Sequence, residues 1–236
     1  MTGNLREEID RCGFARSGPL LDDREIEKIL KDLAGLRISD AVRMRNGAAY
    51  GIRDLLRSVP AIARLAESEK IKGPVELVLG KNARPVRAIF FDKTPEANWK
   101  VPWHQDITIA VRKRFAVEGF SVWTQKAGID HVQPPVSILD RMLAVRVHLD
   151  DADETNGTLK VLPATHRLGR LSQNEIISLG KANRAKLCCI KRGEAFFMRP
   201  LLVHASSAGT RPKHRRVVHV EYAGEDLPGD LEWYGS

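Results

Sequence analysis

Apolar positions recur at helical spacing in the first third of the chain and shift to short strand-like runs beyond it. Residues 22–34, DDREIEKILKDLA, place Ile26, Ile29, Leu30 and Leu33 at i, i+3, i+4 and i+7, one face of an amphipathic helix. Asp22 with Glu25 forms a capping-box pattern at its start, and Gly35 can end it. A second helix is expected over 51–59, with Ile52, Leu55, Leu56 and Val59 on one face. Pro60 breaks it and suits the first turn of a third helix carrying Ile62 and Leu65. From Val75 the period changes, and β-like runs follow at 86–92, 104–110, 142–149, 158–162, 186–191, 195–204 and 216–222. Turn signals separate them, among them Asn156-Gly157, Pro163-Ala164 and Lys191-Arg192-Gly193.

Many short strands without long intervening helices predict a sandwich or barrel of antiparallel strands of jelly-roll type. The expected fold class is an all-β core with flanking helices (α+β). A single domain over 1–236 is expected, with 1–74 a mainly helical cover on one sheet and 75–225 the jelly-roll core. Residues 111–141 show little periodicity, and so long a loop in a compact domain predicts an active-site lid. The acidic run 150–154, DDADE, fails as a calcium loop. Counted from Asp151, the turn glycine comes one place late and position twelve is Leu162, so a polar hairpin turn is expected.

Composition narrows the classes. Apolar residues make up 43% of 236, enough for a sizeable core, and no run approaches the roughly 18 residues of a membrane span. The N-terminus, MTGNLREEIDRCGF, lacks the apolar centre of a secretion signal. Cys12, Cys188 and Cys189 are odd in number and two are adjacent, which fits a reducing, cytoplasmic setting without disulfides. The net charge is +8. Its Arg and Lys residues are scattered among 30 acids with no aromatic-interleaved basic stripe, which argues against a nucleic-acid partner.

The candidate chemistry begins at Trp103-His104-Gln105-Asp106. On a strand, His104 and Asp106 project the same way and can share one ion. They supply two of the three ligands of a 2-His-1-carboxylate site, the mark of non-haem Fe(II) oxygenases. A strand expected over 195–206 carries His204, with Leu202 and Ser206 on the same face, and can close the triad. Eleven residues on, Arg215 opens the strand RRVVHVEY and offers a planar fork for a carboxylate. Alternation alone does not choose between Arg215 and Arg216. Arg146 and His148 share a face of their strand and could line the cavity, and Trp99, Trp103, Trp123 and His131 are further candidates for its wall or for substrate contact. Gln105, pointing the other way, is expected to orient the loop, and His219 to be a core imidazole with a satisfied hydrogen bond.

Taken together, the strand VRAIFFDKTP, the motif WHQD, the stretch LAVRVHLDDADETNGTLKVLPATH and the stretch LVHASSAGTRPKHRRVVHVEY resemble the phytanoyl-CoA dioxygenase family of Fe(II)/2-oxoglutarate oxygenases over roughly residues 50–225. The resemblance implies a double-stranded β-helix with N-terminal helices packed on one sheet. It also implies that His104, Asp106 and His204 bind Fe(II), and that Arg215, favoured by its spacing, and Ser206 hold the distal carboxylate of 2-oxoglutarate. Arg216 would then face away into a surface salt bridge. His166 matches the family's Pro-x-x-His turn and would be structural. Dioxygen would be the third reactant and a small molecule the substrate, with succinate and carbon dioxide released. Halogenating members of the superfamily lack the carboxylate ligand, so Asp106 implies hydroxylation. The alternatives are a nucleic-acid-base demethylase, whose second oxoacid-gripping arginine is not matched here, and a jelly-roll protein that binds metal without turnover.

Overall fold

The computed structural model describes residues 3–36, 42–45 and 48–235. The chain opens with α1 (Gly3–Cys12), β1 (Phe14–Pro19), α2 (Asp23–Ala34), β2 (Val42–Arg45), β3 (Ala48–Ile52), α3 (Leu55–Ser58), α4 (Pro60–Glu67) and α5 (Glu69–Leu79). It continues with β4 (Arg84–Lys93), β5 (Val101–His104), β6 (Ile109–Val111), β7 (Ser121–Lys126), β8 (Ile129–Gln133), α6 (Val136–Asp140), β9 (Met142–His148) and β10 (Leu159–Val161). It ends with α7 (Gln173–Ala182), β11 (Lys186–Cys188), β12 (Glu194–Met198), β13 (His204–Ser206) and β14 (Arg215–Ala223).

Two antiparallel sheets face one another as a double-stranded β-helix. The larger runs β1-β12-β9-β14-β4-β3-β2 and the smaller β11-β10-β13-β5. A third, three-stranded sheet, β6-β8-β7, flanks them. The outer face of the large sheet is apolar. Val145, Val147, Phe197, Val218, Val220 and Tyr222 pack there against Ile9, Ile26, Ile29, Ile62 and Ile71 from the helices. Each such side chain contributes about 1.5–3 kcal/mol by leaving water. The inner face divides: towards β1 and β12 it is closed by Phe14, Phe196, Met198 and Val161, and towards β14 and β4 it is polar and open.

Several elements follow from local sequence. Asp22 accepts from the Glu25 N–H at 2.8 Å while Glu25 accepts from the Asp22 N–H at 2.9 Å, the expected reciprocal cap of α2. Pro60 begins α4 as expected. The turn after Asp150 is held by Asp153, which accepts from the N–H groups of Thr155 and Asn156. Among the described residues, no helix is long and apolar enough to cross a membrane.

Other expectations are corrected. The helix expected at 51–59 is instead the end of β3, where Ile52 pairs with Phe90, followed by the single turn α3. The change of period comes after Val75, because α5 runs through Pro74 to Leu79 and buries Ile71, Val75 and Val78. The strand expected at 104–110 is two strands in different sheets, and residues 105–108 belong to neither. Likewise 195–206 is not one strand: β12 lies in the large sheet, β13 in the small one, and Pro200 sits in the turn between them. The stretch 111–141 is not structureless, since it holds the β7-β8 hairpin and α6.

Candidate metal and oxoacid site

The site lies where β5 and β13 leave the small sheet and face the polar part of the large one. His204 and His104 are register partners across β13 and β5, so both rings emerge at the same level, with centroids 4.1 Å apart. Past His104 the chain turns out of the sheet. The Asp106 N–H donates to the Pro200 carbonyl at 2.9 Å, tying the metal-site loop to the turn that precedes β13. His104 and Asp106 therefore converge through a bend, not through strand alternation. Gln105 points the other way and anchors that bend. Its Nε2 donates to the carbonyls of Gly169 and Leu201, and its Oε1 accepts from the Leu171 N–H, as its orienting role required.

The ligand atoms of His104, Asp106 and His204 all lie within 4.8 Å of one another. His104 Nε2 is 3.7 Å from Asp106 Oδ1, and His204 Nε2 is 3.6 Å from Asp106 Oδ2. Each imidazole donates its Nδ1–H to a carbonyl two residues back, His104 to Pro102 and His204 to Leu202, both at 2.9 Å. That fixes the tautomer with the Nε2 lone pairs aimed at the common centre, the outer-shell arrangement metal-binding histidines use. Burial pushes the Asp106 carboxyl up, but the adjacent His204 and His104 prevail and hold it down at about 2. Burial lowers His204 to about 4 despite Asp106 beside it. At neutral pH the carboxylate is ionised and the His204 imidazole neutral, the protonation state a divalent cation requires.

A cavity of about 220 Å³ opens beside the triad, walled by Tyr50, Phe91, Trp99, Val101 and Leu159 together with charged groups of the large sheet. Arg215 lines it, is 3% exposed, and has no hydrogen-bond partner for Nε or Nη1 among the described residues. Burial and the field of Arg146 push its guanidinium down to about 9, so it stays charged at neutral pH. A buried cation with two idle donors is costly unless an anion completes it. Ser206 lines the same wall. Its Oγ accepts from Lys93 Nζ at 3.1 Å, and that ammonium also reaches the carbonyls of Ser207 at 2.6 Å and Gly157 at 3.4 Å. Gly157, at φ +72°, makes this approach possible, because a Cβ there would stand 2.5 Å from the Ser207 oxygen. Arg216 faces away and forks onto Asp150, with both contacts at 2.7 Å.

Of the other candidates, Arg146 and Trp99 line the cavity. His148 shares the face of Arg146 and is buried, but it is not part of the lining. Trp103 packs over Gly180 of α7 with Lys160 on its ring, Trp123 stands beside Arg114 on the hairpin, and His131 is buried with its Nδ1 on the Ile129 carbonyl. None of these three lines the cavity, and neither does any other residue of 111–141. His166 sits in a short 3-10 turn against Gly13.

Two groups were missed or misplaced: His219, expected in the core, lines the cavity, and so does Glu221, beside Arg87. Glu221 is bound by Arg87 at 3.2 Å and by His219 Nε2 at 3.4 Å, and His219 Nδ1 lies 3.1 Å from Arg146 Nη1. Burial raises the Glu221 carboxyl, but Arg87 and His219 outweigh it and keep it ionised. Parity was the available signal, since 215, 219 and 221 fall on one face of a strand.

Comparison with known proteins identifies the family and the fold. The family model described as phytanoyl-CoA dioxygenase matches residues 9–217. No curated protein sequence matches the chain. Among solved structures, AviO1 from Streptomyces viridochromogenes Tue57 is 21% identical with a TM-score of 0.70, covering 97% of each chain. EctD from S. alaskensis, solved with 2-oxoglutarate and 5-hydroxyectoine, is 18% identical with a TM-score of 0.72, covering 94% of this chain and 76% of its own. The epimerase SnoN, in complex with Fe3+, alpha ketoglutarate and nogalamycin RO, is 18% identical with a TM-score of 0.68, covering 97% and 91%. At these identities the likeness establishes a shared fold.

Proposed function

The chain belongs to the phytanoyl-CoA dioxygenase family of Fe(II)/2-oxoglutarate-dependent oxygenases, and from that premise we propose that it hydroxylates a C–H bond of a small molecule. His104, Asp106 and His204 hold the iron, and Arg215 with Ser206 holds the distal carboxylate of 2-oxoglutarate. The observation that carries this reading is Arg215, a buried guanidinium whose Nε and Nη1 have no partner among the described residues, on the wall of the cavity that contains the triad. A protein that only bound metal would have no use for so costly a group.

Held there, iron and 2-oxoglutarate would supply the activation of dioxygen, with one oxygen atom going to succinate as carbon dioxide leaves and the other to the substrate C–H as a hydroxyl. The chain's own part is placement. His104, Asp106 and His204 would hold the iron from one side of the cavity, the donor set that suits a non-haem Fe(II) with positions left for other ligands. The backbone carbonyls behind His104 and His204 keep both rings from rotating. Arg215 would fix the far carboxylate of the oxoacid by charge-assisted hydrogen bonds and so restrict it to one orientation in the cavity. Phe91, Ile89, Val101 and Leu159 exclude water around the reacting C–H.

The test is anaerobic addition of Fe(II) and 2-oxoglutarate, monitored by the visible charge-transfer band of the chelated oxoacid. The parent is expected to show the band, His204→Ala to lack it, and Arg215→Ala to need far more 2-oxoglutarate. A parent without the band at any oxoacid concentration overturns the reading. Succinate release then screens substrates, and recovery of an alcohol separates hydroxylation from other outcomes of the same chemistry.

A further inference from the structure

We infer that the primary substrate carries an anionic group, a carboxylate or its equivalent, and that Arg146 receives it; this rests on the oxygenase reading above. Arg146 is a cavity-lining residue only 8% exposed. Its Nη1 meets His219 Nδ1 at 3.1 Å, and its Nε has no hydrogen-bond partner among the described residues. The guanidinium lies over the Phe91 ring, 5.8 Å from its centroid, which fixes its plane without neutralising it.

The surrounding charges leave Arg146 in surplus. His219 accepts from Arg146 through Nδ1 and turns its Nε2–H to Glu221, so it links the two without supplying an anion to Arg146. Glu221 is already matched by Arg87 at 3.2 Å. With iron and 2-oxoglutarate in place, Asp106 and the near carboxylate offset the dication, and the distal carboxylate offsets Arg215. Lys93, whose amine burial and the neighbouring guanidinium groups push down to about 7, supplies no anion either. One buried cation, Arg146, remains without an anion, and a buried unpaired charge is strongly disfavoured.

Position separates it from the oxoacid clamp. Arg146 stands opposite His219 on β14, four residues along that strand from Arg215, which stands opposite Lys93. The two side chains therefore start from different levels of the cavity floor, although the field of Arg146 reaches Arg215. The chain Arg146–His219–Glu221–Arg87 holds the first as a preorganised receptor.

The probe is acetate against its uncharged counterpart acetamide, titrated by calorimetry under nitrogen into protein loaded with Fe(II) and saturating 2-oxoglutarate. The parent should bind acetate at least about tenfold more tightly than acetamide, as expected of charge-assisted hydrogen bonds. Arg146→Gln should abolish that preference while 2-oxoglutarate affinity, read from the charge-transfer band, stays near the parent's. Arg146→Lys, which keeps the charge, should retain part of the preference, and melting curves establish that both variants fold. Equal binding of acetate and acetamide, or binding of neither, overturns the proposal. So does acetate binding that survives Arg146→Gln, which would mark the metal itself as the acetate site. A loss of 2-oxoglutarate affinity in Arg146→Gln as large as in Arg215→Gln also overturns it, because Arg146 would then belong to the oxoacid clamp. A parent that forms no band fails the oxygenase reading instead, whatever acetate does.

Discussion

Strand β14 has two faces that obey opposite rules. Val218, Val220 and Tyr222 turn outward and are 0% exposed beneath the helices. Arg215, His219 and Glu221 turn inward and are equally hidden, at 3%, 5% and 8% exposed. The outward face is stabilised by the removal of apolar surface from water. The inward face is opposed by it: each charge must be stripped of water and regains only part of that cost from neighbours. β9 repeats the contrast, with Val145 and Val147 outward and Arg146 and His148 inward. The outward face holds the fold together, and the inward face is a destabilising investment that makes sense only when ligands complete it.

The sharpest break between the faces is a pair of substitutions. Phe197→Ala, on the outward face of β12, should lower stability by about 3–5 kcal/mol, or roughly 10 °C in Tm for a domain of this size, through the cavity it leaves. Iron and 2-oxoglutarate binding by the folded protein should be unchanged. Arg215→Gln should do the reverse and weaken 2-oxoglutarate by about 100-fold, the scale of removing one partner of a buried charge pair. Calorimetric titration with thermal melts reads both. If Phe197→Ala weakened the oxoacid as much as Arg215→Gln does, the two faces would not be separable. Arg215→Met extends the idea: with a buried unpaired cation replaced by apolar volume, it should raise unliganded stability by about 1–2 kcal/mol while binding no oxoacid. A lower Tm would show that Arg215 supports the fold.

The contrast also explains what could be read from sequence. The α2 capping box, the strand runs of β9, β10 and β14, and the residues His104, Asp106, His204 and Arg215 were legible because short-range pattern or motif spacing encodes them. Ile52 was not, because its spacing with Leu55, Leu56 and Val59 satisfies a helix equally well, and only the pairing with Phe90 decides for a strand. The β7-β8 hairpin was hidden because β7 is mostly exposed and has no apolar alternation. Its turn uses Ala127 at φ 53° and Gly128 at φ 76°, a conformation announced here by one glycine alone. The change of period was expected at Val75, yet α5 gives up one backbone hydrogen bond at Pro74 and is carried through by its buried face. His219 and Glu221 needed only the parity of Arg215 carried along β14.

Two smaller effects refine the comparison. On the outward face the Tyr222 hydroxyl donates to the Ala66 carbonyl at 2.7 Å, tying α4 to the sheet. Tyr222→Phe should cost about 1 kcal/mol, independent of pH below the tyrosine range. On the inward face His148 should give a pH-dependent term instead. Burial first, then the fields of Arg146 and Arg215, hold its imidazole well below the ordinary 6.5. Above that value neither the folded nor the unfolded state carries the proton, and the full stability is present. As pH falls below 6.5 the unfolded chain takes up a proton that the folded site refuses, so stability is progressively lost. The parent's Tm should therefore decline on the acid side, and His148→Met should decline less steeply, while Tyr222→Phe runs parallel to the parent. Parallel curves for His148→Met and the parent would mean that this imidazole accepts its proton in the folded state. The inward face would then be better hydrated than a row of buried, mutually repelling cations allows.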